Sequence, residues 1–270
     1  TVTVLDAVGY VFAVADEAGL PAVVNISAGQ GFGPHDGSTL LDLALEDLIG
    51  PGRIVVISAG NEGDIEMHLS REFAAADTVR TVVYFEAPSV TGSPPGTPAG
   101  GLDLWGVPGA SFSVRLTLNK AYRPRADLDT LRLWSSPWVP TDSDAAVPFA
   151  ALSGPDTLLA GSMVAEAAAH NGQPHLFIEL TKGNRNGYVQ LEVAAAHTTV
   201  HAWNVGQGAN GAPFANCQAL GEALIPRTVR GDTRVTIAEG GGACRETITV
   251  GAHWARTGLR TAFGDTLYDT

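Results

Sequence analysis

Ala22-Val23-Val24-Asn25-Ile26-Ser27-Ala28 and Ile54-Val55-Val56-Ile57-Ser58-Ala59-Gly60 are two short β-branched runs, and both end in small residues. Each has strand length and is apolar almost throughout, the pattern of a strand covered on both faces. Between them, after a glycine-rich loop from Gly29 to Gly37, Leu41, Ala44, Leu45 and Leu48 recur at helical spacing. Ser38 or Thr39 can cap that helix, and Gly50-Pro51-Gly52 stops it. Strand, helix and strand at these lengths predict a parallel βαβ unit. A further helix precedes it: Leu5, Val8, Phe12 and Ala15 form an apolar stripe, and Gly19 suits the left-handed residue that ends a helix.

Downstream of Gly63 the pattern changes. Thr81–Glu86, Leu102–Trp105, Phe112–Leu118, Leu131–Trp134, Leu176–Leu180, Tyr188–Val193 and Thr199–Trp203 read as short strands separated by turn-rich stretches, with a Ser/Pro/Gly-rich loop over 89–101. In Ser111-Phe112-Ser113-Val114-Arg115-Leu116-Thr117-Leu118 polar and apolar residues alternate, so one face is buried. This is the signature of an antiparallel β-sandwich. Glu246-Thr247-Ile248-Thr249-Val250-Gly251-Ala252 then restores an apolar strand of the first kind. The predicted organisation is an α/β segment over 1–63, a sandwich inserted over 64–243, and a return to the α/β sheet over 244–270.

Composition narrows the function classes. The 270 residues include 28 acidic and 16 basic side chains, a formal net charge of −12. Such a field repels phosphate backbones and anionic membrane surfaces, which argues against nucleic acid and membrane as partners. No apolar run reaches the roughly 20 residues of a spanning helix. Cys217 and Cys244 are the only cysteines, and their separation lacks the paired short spacing of a zinc site. Abundant Gly and Pro with few charged residues suit a turn-rich extracellular surface.

Three motifs carry chemistry: Val24-Asn25-Ile26-Ser27-Ala28-Gly29, Gly33-Pro34-His35-Asp36-Gly37-Ser38, and Val56-Ile57-Ser58-Ala59-Gly60-Asn61-Glu62-Gly63. Together they resemble the subtilase family of serine proteases. The resemblance continues at Ile248-Thr249-Val250-Gly251-Ala252. It is closest to the branch with a jelly-roll insertion, through His68, Leu102-Asp103-Leu104-Trp105 and Val200-His201-Ala202-Trp203. It implies a partial doubly wound parallel sheet and a peptide or protein substrate. It also implies an oxyanion-stabilising carboxamide at Asn61, and substrate-flanking walls at Ser27, Ala28 and Gly29 on one side and Ser58, Ala59 and Gly60 on the other. No cofactor is expected; calcium is implied only by the resemblance and is not placed.

A neutral amide at the carboxyl end of a rigid strand suits an oxyanion donor, and removing one such donor costs about 2.7–4 kcal/mol of transition-state stabilisation. The bland alternative is that Asn61 bonds its own turn. The family's catalytic Asp, its His-Gly-Thr-His segment and its Gly-Thr-Ser-Met-Ala nucleophile segment have no counterparts here, so the chain reads as an internal segment acting with other segments of the same protease. Gly161-Ser162-Met163-Val164-Ala165 imitates the nucleophile segment without its threonine or its following proline, and reads as coincidence. His35-Asp36 reads as loop capping. His197 and His201 lie on a predicted strand, where their rings would stand about 13 Å apart, too far to share a metal. Trp105, Trp134, Trp138, Trp203 and Trp254 read as sandwich core, with a sugar platform as the rarer use. A carbohydrate- or protein-binding sandwich and a pseudoprotease are the competing expectations.

Overall fold

The computed structural model describes residues 2–85, 99–120, 132–183, 187–205, 212–215, 228–252, 258–260 and 266–268. Helix α1 (Val2–Glu17) is followed by strand β1 (Ala22–Ile26), helix α2 (Leu40–Leu48) and strand β2 (Arg53–Ser58). β1 and β2 pair in parallel from Ala22↔Arg53 to Ile26↔Ile57. The local signals act as read. Gly19 is left-handed at φ 66°, and Leu20 N–H closes on Ala15 C=O at 2.9 Å. Thr39 caps α2, its hydroxyl accepting from Asp42 N–H at 3.1 Å. Val8, Phe12, Leu45 and Val55 are buried in one cluster with Cys244, and Ala22, Val24 and Ile26 pack against it. Cys244 is a buried free thiol, whereas Cys217 lies outside the described residues.

The parallel sheet corrects one expectation. Val23 is 62% exposed, and Ile54, Ile248 and Val250 are exposed as well. The residues that pack with α1 and α2 alternate with them along β1 and β2, so among the described residues helices cover one face of the sheet. An unbroken apolar run does not distinguish the two cases: β-branched residues are favoured in a strand whether or not the second face is covered.

The rest is antiparallel. Its strands are β3 (His68–Phe73), β4 (Asp77–Val83), β5 (Ala99–Trp105), β6 (Phe112–Lys120), β7 (Arg132–Ser135), β8 (Val139–Pro140), β9 (Ala145–Ser153), β10 (Asp156–Glu166), β11 (His175–Lys182), β12 (Gly187–Ala195), β13 (Thr198–Asn204) and β14 (Phe214–Ala215). One six-stranded sheet runs β3-β13-β5-β11-β10-β9; the other contains β14-β4-β12-β6-β7, with β8 on β6. Leu102, Leu104, Met163, Leu176 and Ile178 of the first sheet share a single buried cluster with Val114, Leu116, Leu191, Val193 and Phe214 of the second. Two sheets around one core form a sandwich. β5 begins at Ala99, inside the stretch predicted as loop; residues 89–98 of that stretch lie outside the described residues.

After the sandwich strands the chain rejoins the first sheet: β15 (Ile248–Val250) pairs in parallel with β2, Ile248↔Val56 to Val250↔Ser58. Two short strands, β16 (Gly258–Arg260) and β17 (Thr266–Tyr268), form a separate hairpin pair. The loop after β1 docks on the outer face of the β3-containing sheet. There Gly33 N–H donates to Asp103 at 2.6 Å and the His35 ring stacks on Trp203 at 4.5 Å.

Candidate functional site

β1 and β2 run side by side, so their small-residue endings emerge at the same edge of the sheet, where Ser58 Oγ donates to Ala28 C=O at 3.4 Å. The segment 237–239 packs against both endings. Ala238 N–H donates to Ala59 C=O at 2.9 Å, and Gln30 and Glu239 exchange backbone hydrogen bonds at 3.0 and 2.8 Å. A Cβ on Gly29 would stand 2.6 Å from the Ala238 methyl, and one on Gly60 2.9 Å from it and 2.6 Å from Glu62 Oε2. Gly60 is also left-handed, at φ 97°. Side chains are excluded at both positions because Ala238 occupies the space between the two strand ends. Gly60→Ala therefore adds backbone strain to overpacking and is expected to destabilise the protein by about 2–4 kcal/mol in urea denaturation.

Asn61 follows this contact. Its backbone N–H donates to the Glu62 carboxylate at 2.8 Å, while its carboxamide is exposed and has no hydrogen-bond partner among the described residues. The turn is held by Glu62, and the Asn61 amide makes no hydrogen bond to it among the described residues. It borders a pocket of about 480 Å³ with Ala59, Gly60, Thr236, Ile237, Gly251 and others. Ala59 N–H is bonded to Val250 C=O at 2.9 Å, which ties this wall to β15. Ser27, Ala28 and Gly29 do not line the pocket; they lie exposed on the far side of Ala238.

Behind the strand ends lies a pair of carboxyl groups. Glu239 and Asp42 are both fully buried, and apart from the hydrogen bond that a protonated Glu239 makes to Asp42, one oxygen of each has no partner. Burial, reinforced by the negative charge of Asp42, pushes the Glu239 carboxyl up from 4.5 to about 8, so at neutral pH it holds a proton. Its Oε1 accepts from His35 N–H, and Asp42 Oδ2 accepts from Thr39 Oγ1 at 2.6 Å. Through these contacts the pair joins the loop after β1, the cap of α2 and the segment beside Asn61.

The other candidates separate cleanly. Asp36 caps its loop, accepting from Ser38 N–H at 2.9 Å, and His35 faces the carbonyl oxygens of Ile237 (2.7 Å) and Gly31 (3.1 Å) instead of Asp36. Ser162 lies mid-strand in β10 between Pro148 and Glu179. His201 Nδ1 lies 2.9 Å from His68 Nε2, whose Nδ1 bonds Asp232 at 2.8 Å; His197, left-handed at φ 52°, stands apart in a turn. Burial lowers the pKa of His35, His68 and His201. Trp105 and Trp203 are buried and Trp138 is exposed, whereas Trp254 lies outside the described residues. Sequence reasoning missed Ala238 and Glu239. The triple glycine Gly240-Gly241-Gly242, with Gly240 and Gly241 left-handed, is the one signal of a close backbone approach there.

No protein-family model and no curated protein matches the sequence. A similar solved structure is that of the Clostridium perfringens CspB protease, with a TM-score of 0.61 over 93% of this chain at 16% identity. The two chains share a fold. The likeness covers 45% of the CspB chain, so this sequence spans less than half of that protein's length.

Proposed function

We propose that the chain is the oxyanion-side and substrate-side segment of a subtilisin-like serine endopeptidase with an inserted jelly-roll-like sandwich. The observation that carries this reading is the open Asn61 carboxamide at the end of the central strand of a parallel sheet, beside a pocket whose opposite wall is the 236–237 segment. On this reading Asn61 Nδ2 donates to the alkoxide that forms when the scissile carbonyl becomes tetrahedral. Ala59 and Gly60 wall the pocket that takes a substrate side chain, and Ser27, Ala28 and Gly29 offer main-chain groups to the extended peptide. The Asp, His and Ser of the triad are supplied by segments outside these residues, and no metal or cofactor takes part in the step. The fold shared with a protease supports the reading at the level of architecture.

The test is to express the protein that carries this segment and assay release of p-nitroaniline from peptide anilides alongside labelling by a fluorophosphonate. Hydrolysis with the label on a serine outside residues 1–270 is the expected result. The isolated 270-residue chain is expected to show neither. A label on Ser162, or hydrolysis by the isolated chain, contradicts the proposal.

A further inference from the structure

We propose that the sandwich carries a second binding site, for an acidic saccharide of the uronate type, on the outer face of the β4-β12-β6 sheet. This inference does not depend on the role of Asn61. A cavity of about 970 Å³, twice the volume of the pocket beside Asn61, lies where three turns meet, at the β3-β4, β5-β6 and β12-β13 connections. Val79, Val114 and Val193 point into the core, so their neighbours Thr78, Arg80, Ser113 and Ala194 point outward into the cavity. Ala194 opposes Thr78 on one side and Ser113 on the other, which makes it the centre of the floor.

The chemistry of that floor selects the ligand. Arg80 donates through Nε to Glu192 at 3.2 Å, and its two terminal nitrogens have no partner among the described residues. Glu192 is saturated: the same oxygen takes Arg115 at 2.7 Å, and the other takes Thr117 Oγ1 at 2.8 Å. Two guanidinium groups around Glu192 leave a positive charge in a chain of net −12, because the carboxylate that lines the cavity, Asp77, is paired with Arg71 at 3.2 Å, and an open guanidinium fork matches a carboxylate in two parallel hydrogen bonds. Beside it the Arg115 guanidinium lies 4.6 Å from the centre of the Trp138 ring, which is 37% exposed. Trp138 immediately precedes β8, and β8 pairs with β6 at Val139↔Val114, so the indole flanks the strand that carries Ser113 and Arg115. Trp138 and Arg115 do not line the cavity itself; beside it, the exposed part of the ring offers an apolar contact to a saccharide that extends beyond the hydroxyl and guanidinium groups of the floor.

A peptide is disfavoured by the topology. β12 is bonded to β4 on one side and β6 on the other, and β6 to β12 and β8, so the main-chain groups of the floor are used within the sheet. Strand addition, the common way to hold an extended peptide, needs an open edge.

The test is calorimetric titration of the full chain with digalacturonate, with its neutral counterpart digalactose, and with tri-glutamate. Saturable digalacturonate binding is expected, with the neutral disaccharide and the acidic peptide at least about tenfold weaker. Arg80→Gln removes the fork and Ala194→Phe fills the floor. Each is expected to weaken digalacturonate by at least about tenfold, and Trp138→Ala by a smaller factor, with thermal unfolding unchanged. Thr117 and Arg115 still hold Glu192 when Arg80 is replaced, and Ala194→Phe provides an independent block should that variant misfold. Absence of saturable binding up to about 10 mM, binding that survives both substitutions, or equal or tighter binding of digalactose or tri-glutamate overturns the proposal.

Discussion

Asn61→Ala, in the protein that carries this segment, is expected to lower kcat for peptide hydrolysis by about 10²–10³ and to leave KM nearly unchanged. The carboxamide is exposed, has no partner among the described residues and bonds nothing in its own turn, so its loss removes no interaction that holds the fold. Nor does the ground-state carbonyl depend on it, because the charge it meets develops only as the carbonyl becomes tetrahedral. An effect confined to kcat is what such a donor produces. Asn61→Asp, which replaces the donor by an anion, is expected to lose at least as much activity. A fall in kcat/KM through KM alone would assign Asn61 to substrate binding instead, and stopped-flow or steady-state assays of the purified variants separate the two.

The second large effect concerns stability. Glu239 titrates in the folded protein near 8, above its ordinary 4.5, because the carboxyl is buried against Asp42. Across that interval the folded state holds a proton that the unfolded chain releases. The contribution of this group to stability is therefore fully present below about 4.5, is lost progressively as pH rises to about 8, and changes no further above that. At about 1.4 kcal/mol per unit, the loss over that interval is about 5 kcal/mol. His35, His68 and His201 titrate below 6.5 and act with the opposite sign at the acid end of the window, so the difference between wild type and Glu239→Gln isolates the carboxyl. Urea denaturation from pH 5 to 9 should give a wild-type curve that falls relative to the variant, whose neutral amide keeps the shape without titrating. Parallel curves for the two proteins would show that the proton is not held on Glu239.

These two residues mark the limits of what the sequence shows. Asn61 is legible because it ends a β-branched run, and the runs at 22–28 and 54–60 predict neighbouring parallel strands that the fold contains. α2 is legible through Leu41, Leu45 and Leu48 at helical spacing and a threonine cap. Glu239 is not legible: a single glutamate before three glycines has no periodicity, and only the fold brings Asp42 beside it. β9 and β10 escape for a related reason. Ala145-Ala146-Val147-Pro148 and Ala160-Gly161-Ser162 are poor in β-branched residues, so their strand character comes from pairing across the sheet and not from local preference. β3, His68–Phe73, is missed because it mixes buried His68 and Leu69 with exposed Ser70, Arg71 and Glu72. The cavity on the sandwich depends on three turns far apart in sequence, whose meeting no local pattern encodes.

The central claim is that the Asn61 carboxamide donates to the oxyanion, and a peptide boronate tests it most directly, because its tetrahedral oxygen mimics the charged intermediate. In a crystal structure of the protein carrying this segment with the boronate bound, Asn61 Nδ2 should lie about 2.7–3.1 Å from that oxygen, with the adjoining side chain in the pocket walled by Ala59 and Gly60. A boronate seated with the carboxamide turned away, or bound where Asn61 cannot reach it, would contradict the account.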